Sequence, residues 1–362
     1  MSQSGIYSEL KMAWHYSRED KLPDAPKQVQ LILSDLCNQD CSFCAYRMSG
    51  YTSNELFVGD SEKSKYGHNN PKRFIPTQRA LRLLLEMRKA GVEAIQMTGG
   101  GEPTVHPDHE DIFTFALATD FRCSLVSNGV KWSYNLIENI LPRFDWVRVS
   151  IDAGNSESYA KIRRTPPDNF HKVWIQVNHL SHIIARDKRP TVLGVGFVVT
   201  PDNCGEILEF AKRAKDSGAH NARFSAMFSP ENEKPYEDIW KSITYEIAKA
   251  KRIYNAPNFQ IHDNFGSRLE DLEQHSPDYS FCSYQHYTSY IGGDLQAYRC
   301  CVLAYNERGK IKGGDLTTRD FGEFWDSNDR TRDFAKFDAK GCERCQFNEK
   351  NRAMNYLLQP DP

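Results

Sequence analysis

The chain has no long apolar run. No stretch approaches the roughly 20 apolar residues that a membrane-spanning helix needs. Met1 to Lys21 is polar and charged, without the apolar core of a secretory signal. Charge of either sign in excess is also missing: 46 Lys and Arg stand against 48 Asp and Glu, a formal net charge of −2. No basic surplus therefore advertises non-specific nucleic-acid binding, which leaves only a local groove open to that class of partner. Internal repeats and low-complexity tracts are absent too, which argues against solenoids and scaffolding tails. What remains is a chain of 362 residues with no membrane partner expected, long enough for one large domain with an appendage or for two domains.

Ten cysteines stand out against that background. Several lie in CxxC patterns, and without a secretory signal these read as metal ligands in a reducing cytoplasm, not as disulfides. The densest group is Cys37-Asn-Gln-Asp-Cys41-Ser-Phe-Cys44, directly after the apolar run Gln28–Asp35. Three thiolates at CxxxCxxC spacing suit three irons of a four-iron cluster and leave the fourth iron open for chemistry. A structural zinc knuckle, a dithiol redox pair of Cys41 and Cys44, and buried free thiols are the competing readings. Further on, strand-like Ala94–Met97 runs into Thr98-Gly99-Gly100-Gly101-Glu102-Pro103. Glycines let a ligand approach the backbone, and Glu102 is suited to accept a hydrogen bond from an ammonium group. The duller alternative for Glu102 is a carboxylate favoured by a helix start.

Apolar, β-rich runs predict strands at Gln28–Asp35, Ala94–Gly100, Arg122–Ser127, Trp146–Asp152, Val192–Thr200 and Ala222–Met227. Amphipathic stretches separate most of them. One follows Thr77 as its N-cap, with Leu81, Leu84 and Leu85 on one face and Gly91 as its stop; another runs from Glu206 to Ser217 and ends at Gly218. Strands alternating with helices imply parallel pairing through right-handed crossovers. The cysteine loop, GGGEP, Ser127-Asn128-Gly129 and Val149-Ser150-Ile151-Asp152 all fall at the carboxyl ends of these strands, where barrels of this type gather ligand groups.

CxxxCxxC with Phe43 before its last cysteine, followed by GGEP at Gly100 to Pro103, by SNG and by VSID, resembles the radical S-adenosylmethionine (radical SAM) superfamily over roughly residues 28–228. The resemblance implies an α/β fold, a partial (βα)6 TIM-like barrel. It implies that Cys37, Cys41 and Cys44 ligate a [4Fe–4S] cluster whose remaining iron is chelated by S-adenosylmethionine. Gly100, Gly101 and Glu102 would hold the cofactor's amino group, and Ser150 with Asp152 would lie near its ribose or carboxylate. The implied activity is reductive cleavage to a 5′-deoxyadenosyl radical that abstracts hydrogen from substrate. An external one-electron donor such as flavodoxin or ferredoxin would supply the electron.

A second set of cysteines lies near the other end. Cys282 precedes a strand-turn-strand stretch (Tyr287–Ile291, Leu295–Tyr298), Cys300-Cys301 closes it, and Cys342-Glu-Arg-Cys345 comes later. That count suits a closed four-thiolate site, and zinc and an iron–sulfur cluster are both compatible with it. The segment resembles the twitch module, a shortened relative of the SPASM domain, which implies that Cys282, Cys300, Cys342 and Cys345 bind one auxiliary [4Fe–4S] cluster. Gly314-Asp315-Leu316 and Phe324-Trp325 belong to the same likeness. Leu295 departs from it, standing where that family often has glycine, and Cys301 is an adjacent rival for Cys300.

The expected organisation is an N-terminal extension (1–27), the barrel (28–228), a bridging segment (229–281) with a strand-like Phe259–His262 stretch, and a small β-hairpin/helix iron–sulfur module (282–362). Within the barrel, polar residues 49–74 read as a lid or as a loose insertion. Of the remaining thiols, Cys123 is expected to pack. Cys204, after Thr200-Pro201-Asp202-Asn203, is a candidate for returning a hydrogen atom to a substrate radical, with packing at a helix start as the preferred reading. Tyr279, His275 and His286 are candidates for lining a substrate cavity. Fewer than 30 residues precede the first strand, so a fused peptide-binding winged domain is not expected. A sugar or nucleotide derivative is therefore the favoured substrate. Isomerisation of a hypermodified DNA base or maturation of a ribosomally made peptide are the alternatives. Outside enzymology stand an iron–sulfur electron carrier and a zinc-stabilised scaffold.

Overall fold

The computed structural model describes residue 12 and residues 21–46 and 74–358. The candidate lid therefore lies outside the described residues except for Phe74. The alternating sequence pattern becomes one sheet. Its strands are β1 (Gln28–Leu31), β2 (Ala94–Met97), β3 (Arg122–Ser127), β4 (Trp146–Ser150), β5 (Val192–Val199), β6 (Asn221–Ala226), β7 (Gln260–Asn264), β8 (Thr288–Ile291), β9 (Gln296–Tyr298) and β10 (Lys310–Asp315). Their spatial order is β10-β9-β8-β1-β2-β3-β4-β5-β6-β7. Every pair from β8 through β1 to β7 is parallel, and only the β8–β9–β10 end is antiparallel. The six strands expected from the sequence form the centre. The strand-like Phe259–His262 stretch of the bridging segment becomes β7, and the first strand of the carboxyl-terminal hairpin becomes β8, pairing with β1.

Helices cover one face, as parallel sheets require. They include α1 (Thr77–Lys89), α2 (His109–Ala118), α3 (Ser156–Arg163), α4 (Asp168–Arg186), α5 (Ile207–Asp216) and α6 (Trp240–Tyr254). On β5 the outward residues Leu193, Val195, Phe197 and Val199 are fully buried, and Phe197 meets Phe210 of α5 with ring centroids 4.8 Å apart. The inward set of β5 includes Gly194 and Gly196, which leave room for long side chains from the flanking strands. Among the described residues no helix is long and apolar enough to cross a membrane.

Two details of α1 differ from expectation. Pro76, not Thr77, precedes the helix, and the Thr77 hydroxyl instead donates to Asp108. The buried face is Ala80, Leu83, Leu84 and Met87, whereas Leu85 is 52% exposed. A step of one residue from Leu84 turns the side chain through about 100°, out of the stripe. Gly91 does end the helix, at φ +99°. The departure at Leu295 also has a physical reading: this residue takes φ +61° in the hairpin and buries its side chain in the core. The left-handed conformation costs about 1–2 kcal/mol, and burial of a leucine offsets it by a similar amount, about 1.5–3 kcal/mol.

An ion pair adds to the sheet pairing in tying the carboxyl-terminal segment to the barrel. Arg79 on α1 pairs with Glu86 at 2.9 Å and donates to the carbonyls of Leu316 (2.7 Å) and Arg319 (2.8 Å). Glu86, 7% exposed, accepts from the backbone N–H of Phe321 at 3.1 Å, at the start of α7 (Phe321–Trp325). Removing one member of a buried pair strands the other. Glu86→Ala is accordingly expected to lower stability by about 3 kcal/mol in urea titration, far beyond a surface charge change.

Candidate active site

The loop carrying Cys37, Cys41 and Cys44 leaves the carboxyl end of β1 and is held from two sides. On one side is the glycine run after β2: Gly101 N–H donates to the Ser34 carbonyl (3.1 Å) and Glu102 N–H to that of Leu36 (2.8 Å). A Cβ on Gly101 would fall 2.0 Å from the Leu36 carbonyl oxygen, and one on Gly100 would meet Asp35 at 2.7 Å. The glycines thus allow the two loops to lie in backbone contact. On the other side is the end of α3, where Asp40 and Ser42 donate backbone N–H groups to the carbonyls of Arg163 (3.3 Å) and Ile162 (2.9 Å). All three thiols are half-buried.

Glu102 is 3% exposed and heavily hydrogen-bonded. Its Oε1 accepts from Thr104 N–H (3.1 Å), the Thr104 hydroxyl (2.8 Å) and the Ser127 hydroxyl (2.7 Å); its Oε2 accepts from Asn128 N–H (2.7 Å). The carboxylate therefore latches the end of β2 to SNG after β3. Oε2, with a single partner, keeps capacity for an ammonium group.

Asp152 is engaged within the protein. One oxygen accepts from Val198 N–H at 2.6 Å and the other pairs with Arg163. Asp152 stands at φ +63°, a conformation the clamp must hold. Arg163 reaches from there to Gln39 Oε1 (3.2 Å) and to the sulfur of Cys41 (3.3 Å), with Phe43 5.7 Å from its guanidinium. Burial by itself would lower the pKa of Arg163; the charges of Asp152, Cys41 and Tyr159 raise it instead, keeping the cation. Ser150 is half-buried at the end of β4 and its hydroxyl meets no hydrogen-bond partner among the described residues.

Inside the sheet, toward the amino ends of the strands, lies a cavity of about 410 Å³, lined among others by Gln30, Gln96, Arg148, Arg223, His262 and Arg268. Cys204 is not among the lining residues. It packs half-buried at the start of a short helical turn, its sulfur 3.5 Å from the Pro201 carbonyl. His275 is exposed, and His286 stacks on Phe281; neither lines this cavity. Cys123 is fully buried, as a small packing residue is.

Cys282, Cys300, Cys342 and Cys345 line a second, smaller cavity together with Tyr279. Cys301 points elsewhere: it lines the larger cavity, with Gln346 donating to its sulfur at 2.7 Å. Burial, reinforced by neighbouring thiols, pushes Cys282 up to about 11 and Cys345 up to about 12. Among the described residues no three His, Cys, Asp or Glu side chains converge as a single-ion site requires.

The family model of the Radical SAM superfamily matches residues 31–243, more than half of the chain. The chain belongs to the radical SAM superfamily. Similar proteins include a probable GTP 3′,8-cyclase of Halobacterium salinarum, 26% identical over 137 residues, 38% of this chain and 34% of that one. An S-adenosylmethionine-dependent nucleotide dehydratase of Flammeovirga pacifica is 26% identical over 188 residues, 52% and 59% of the two chains. The chain thus matches a third to three fifths of the length of these curated relatives. Among solved structures, SuiB of Streptococcus suis bound to its precursor peptide SuiA has a TM-score of 0.61 at 14% identity, covering 93% of this chain and 73% of SuiB. That likeness is one of fold.

Superfamily membership implies a [4Fe–4S] cluster and S-adenosylmethionine, and the rim fits them. It offers three thiols on one loop, a glycine cradle, an Oε2 with room for an ammonium and an unengaged Ser150 hydroxyl. The sequence reading missed Arg163, Gln39 and the lumen arginines. Nothing in the local pattern of α3 marks Arg163. Arg148 and Arg223 carried a signal, since each is a charge in the middle of a buried parallel strand (WVRVS, NARFSA).

The latch at Glu102 is testable apart from any cofactor. Glu102→Gln turns an acceptor into a donor facing N–H and O–H groups. In cluster-free protein it should lower stability by about 2 kcal/mol on denaturant titration; an unchanged midpoint would assign Glu102 to the cofactor alone.

Proposed function

We propose that this protein holds a [4Fe–4S] cluster on Cys37, Cys41 and Cys44, with S-adenosylmethionine on the open iron. In this reading it abstracts hydrogen from a C–H bond of a small molecule, such as a sugar or nucleotide derivative. The observation that carries the reading is the three-thiol loop, clamped between GGGEP and Arg163 at the carboxyl ends of the barrel strands. When bound, the cluster and S-adenosylmethionine supply a 5′-deoxyadenosyl radical able to take hydrogen from carbon. The protein's own residues position and insulate. Gly100, Gly101 and Glu102 Oε2 receive the cofactor's amino group, and the Ser150 hydroxyl serves its ribose or carboxylate. Asp152 acts through Arg163, orienting an N–H toward the Cys41 sulfur. The cavity beneath admits the substrate, and an external flavodoxin or ferredoxin delivers the electron.

The assigned organisation is barrel 28–228, bridge 229–281 and a twitch-like module 282–362, after an extension of 27 residues. Cys282, Cys300, Cys342 and Cys345 hold a second, auxiliary [4Fe–4S] cluster. The four thiols line one cavity, and the likeness to the twitch module favours the iron–sulfur cluster over zinc. A peptide substrate is the second reading. The fold likeness to peptide-bound SuiB favours it, and the strongly cationic lumen favours the small molecule.

Reconstituted without oxygen, the protein should hold about eight irons and, reduced with dithionite, release 5′-deoxyadenosine from S-adenosylmethionine. Cys41→Ala should abolish that product and keep about half the iron. Cys300→Ala should lose the other half, and Cys301→Ala should lose none; the reverse result would exchange the two ligands. Absence of iron bound by the first three thiols would end the proposal.

The clamp on Cys41 has its own readout. Hydrogen bonds and positive charge at a cluster sulfur favour the reduced state. Arg163→Met should therefore shift the potential of the first cluster downward by tens of millivolts in a titration followed by electron paramagnetic resonance. An unshifted potential would reduce Arg163 to a loop anchor.

A further inference from the structure

The lumen carries more positive charge than the protein neutralises. Arg148 rises from β4 and lies over Gly196, where a Cβ would touch its Cδ at 3.5 Å; its one aromatic contact is Trp146, 5.1 Å away. Among the described residues it has no carboxylate partner. Arg223, on β6, meets only the amide oxygen of Asn264 at 3.1 Å. Arg268, on the helix after β7, pairs with Asp271 at 3.3 Å. Glu349 and Lys350 at the rim offset one another in charge. His262 lies next to Arg223 in the β6–β7 register, and burial and the neighbouring cations keep it neutral. Three guanidiniums and Lys350 thus share one cavity with the carboxylates of Asp271 and Glu349, and two positive charges stay uncompensated. Gly194 and Gly196, both on the inward face of β5, make room for the side chains of Asn221 and Arg148.

Buried charges are normally paired, because an isolated ion in a low-dielectric interior is strongly disfavoured. Burial alone pushes Arg148 down to about 10. Burial, then repulsion from Arg148 and Arg268, lowers Arg223 well below the ordinary guanidinium value. Such a set is stable in function only if an anion joins it. Planar guanidinium forks match phosphate oxygens in pairs, and a phosphate monoester carries close to two negative charges at neutral pH, the number left unbalanced here.

We propose that the substrate bears a phosphate group, held inside the lumen by Arg148 and Arg223 with Arg268 at its side. This inference rests on reading the lumen as the substrate chamber of the radical SAM enzyme. It narrows the substrate class from sugars and nucleotides in general to their phosphorylated forms. The phosphate belongs to a nucleotide or to a sugar phosphate, and the chemistry of recognition is common to both.

The test is calorimetric titration of the full-length, anaerobically reconstituted protein at fixed ionic strength. The probes are uridine 5′-monophosphate against uridine, and glucose 1-phosphate against glucose and glucuronate. At least one phosphorylated probe should bind about tenfold or more tighter than its uncharged counterpart, and the pair showing the larger preference identifies the source of the phosphate. Arg148→Met and Arg223→Met should each weaken that binding about tenfold or more. Where either variant fails to fold, the Lys substitution, which keeps charge and loses the fork, should still weaken it. Phosphorylated probes binding no tighter than neutral ones, or glucuronate equalling glucose 1-phosphate, would overturn the inference, as would arginine variants that bind normally. If 5′-deoxyadenosine forms while phosphate preference is absent, only this inference falls. If phosphate binds and no 5′-deoxyadenosine forms, the anion site stands and the radical reading falls.

Discussion

The contact on which the site depends is the buried pair of Asp152 and Arg163. It joins the end of β4, the end of α3 and the cysteine loop in one step, because Arg163 spans from a carboxylate to a thiol. Neither partner is replaceable alone, since removing either leaves the other's charge buried in a water-poor position. Buried ion pairs are seldom the cheapest way to stabilise a fold, and a hydrophobic contact would hold the loop as well. What a guanidinium adds is direction: planar N–H donors fix the angle at which Cys41 presents its sulfur. A loop with three half-buried thiols and little apolar surface needs that kind of fixing, because packing alone would leave several arrangements close in energy.

The same logic extends toward the carboxyl-terminal module. Tyr305 donates to Asp35, the residue at the foot of the cysteine loop, and Gly100 lies against both. Tyr46, at the far end of that loop, meets Tyr305 edge-on at 5.9 Å. With β8 paired to β1 and Arg79 fastening Leu316 and Arg319, the module is an extension of the barrel's sheet, not a separate bead. One continuous sheet thus joins the segments that carry the two thiol sites.

The barrel was legible because its signals are local and redundant. Runs of β-branched residues, glycine stops at Gly91 and Gly218, and motifs at strand ends each point to the same alternation. Strand β7 was visible as a run but not as a member of the sheet, since pairing partners are a long-range property. Leu295 carried a misleading sign: a leucine at positive φ contradicts local preference, and only the core it enters explains it. At the site, types and spacing revealed the thiols and the glycines. They could not reveal that Glu102 and Asp152 are already engaged, because a carboxylate's partners come from strands 25 to 46 residues away. Nor could spacing choose between Cys300 and Cys301, whose side chains leave adjacent residues toward different cavities.

The lumen arginines show why the remainder was hidden. A charge in a buried strand lowers the stability of the empty protein, so sequence rules that reward consistency treat it as an error. Native folds accept such errors where a ligand corrects them. Arg148 and Arg223 sit on either side of two glycines that surrender packing to make room, so the local sequence gives up stability twice at one place. A carboxylate introduced beside them would repair the charge. Its absence, in a chain with 48 acidic residues to draw on, argues that the imbalance is kept for an outside anion.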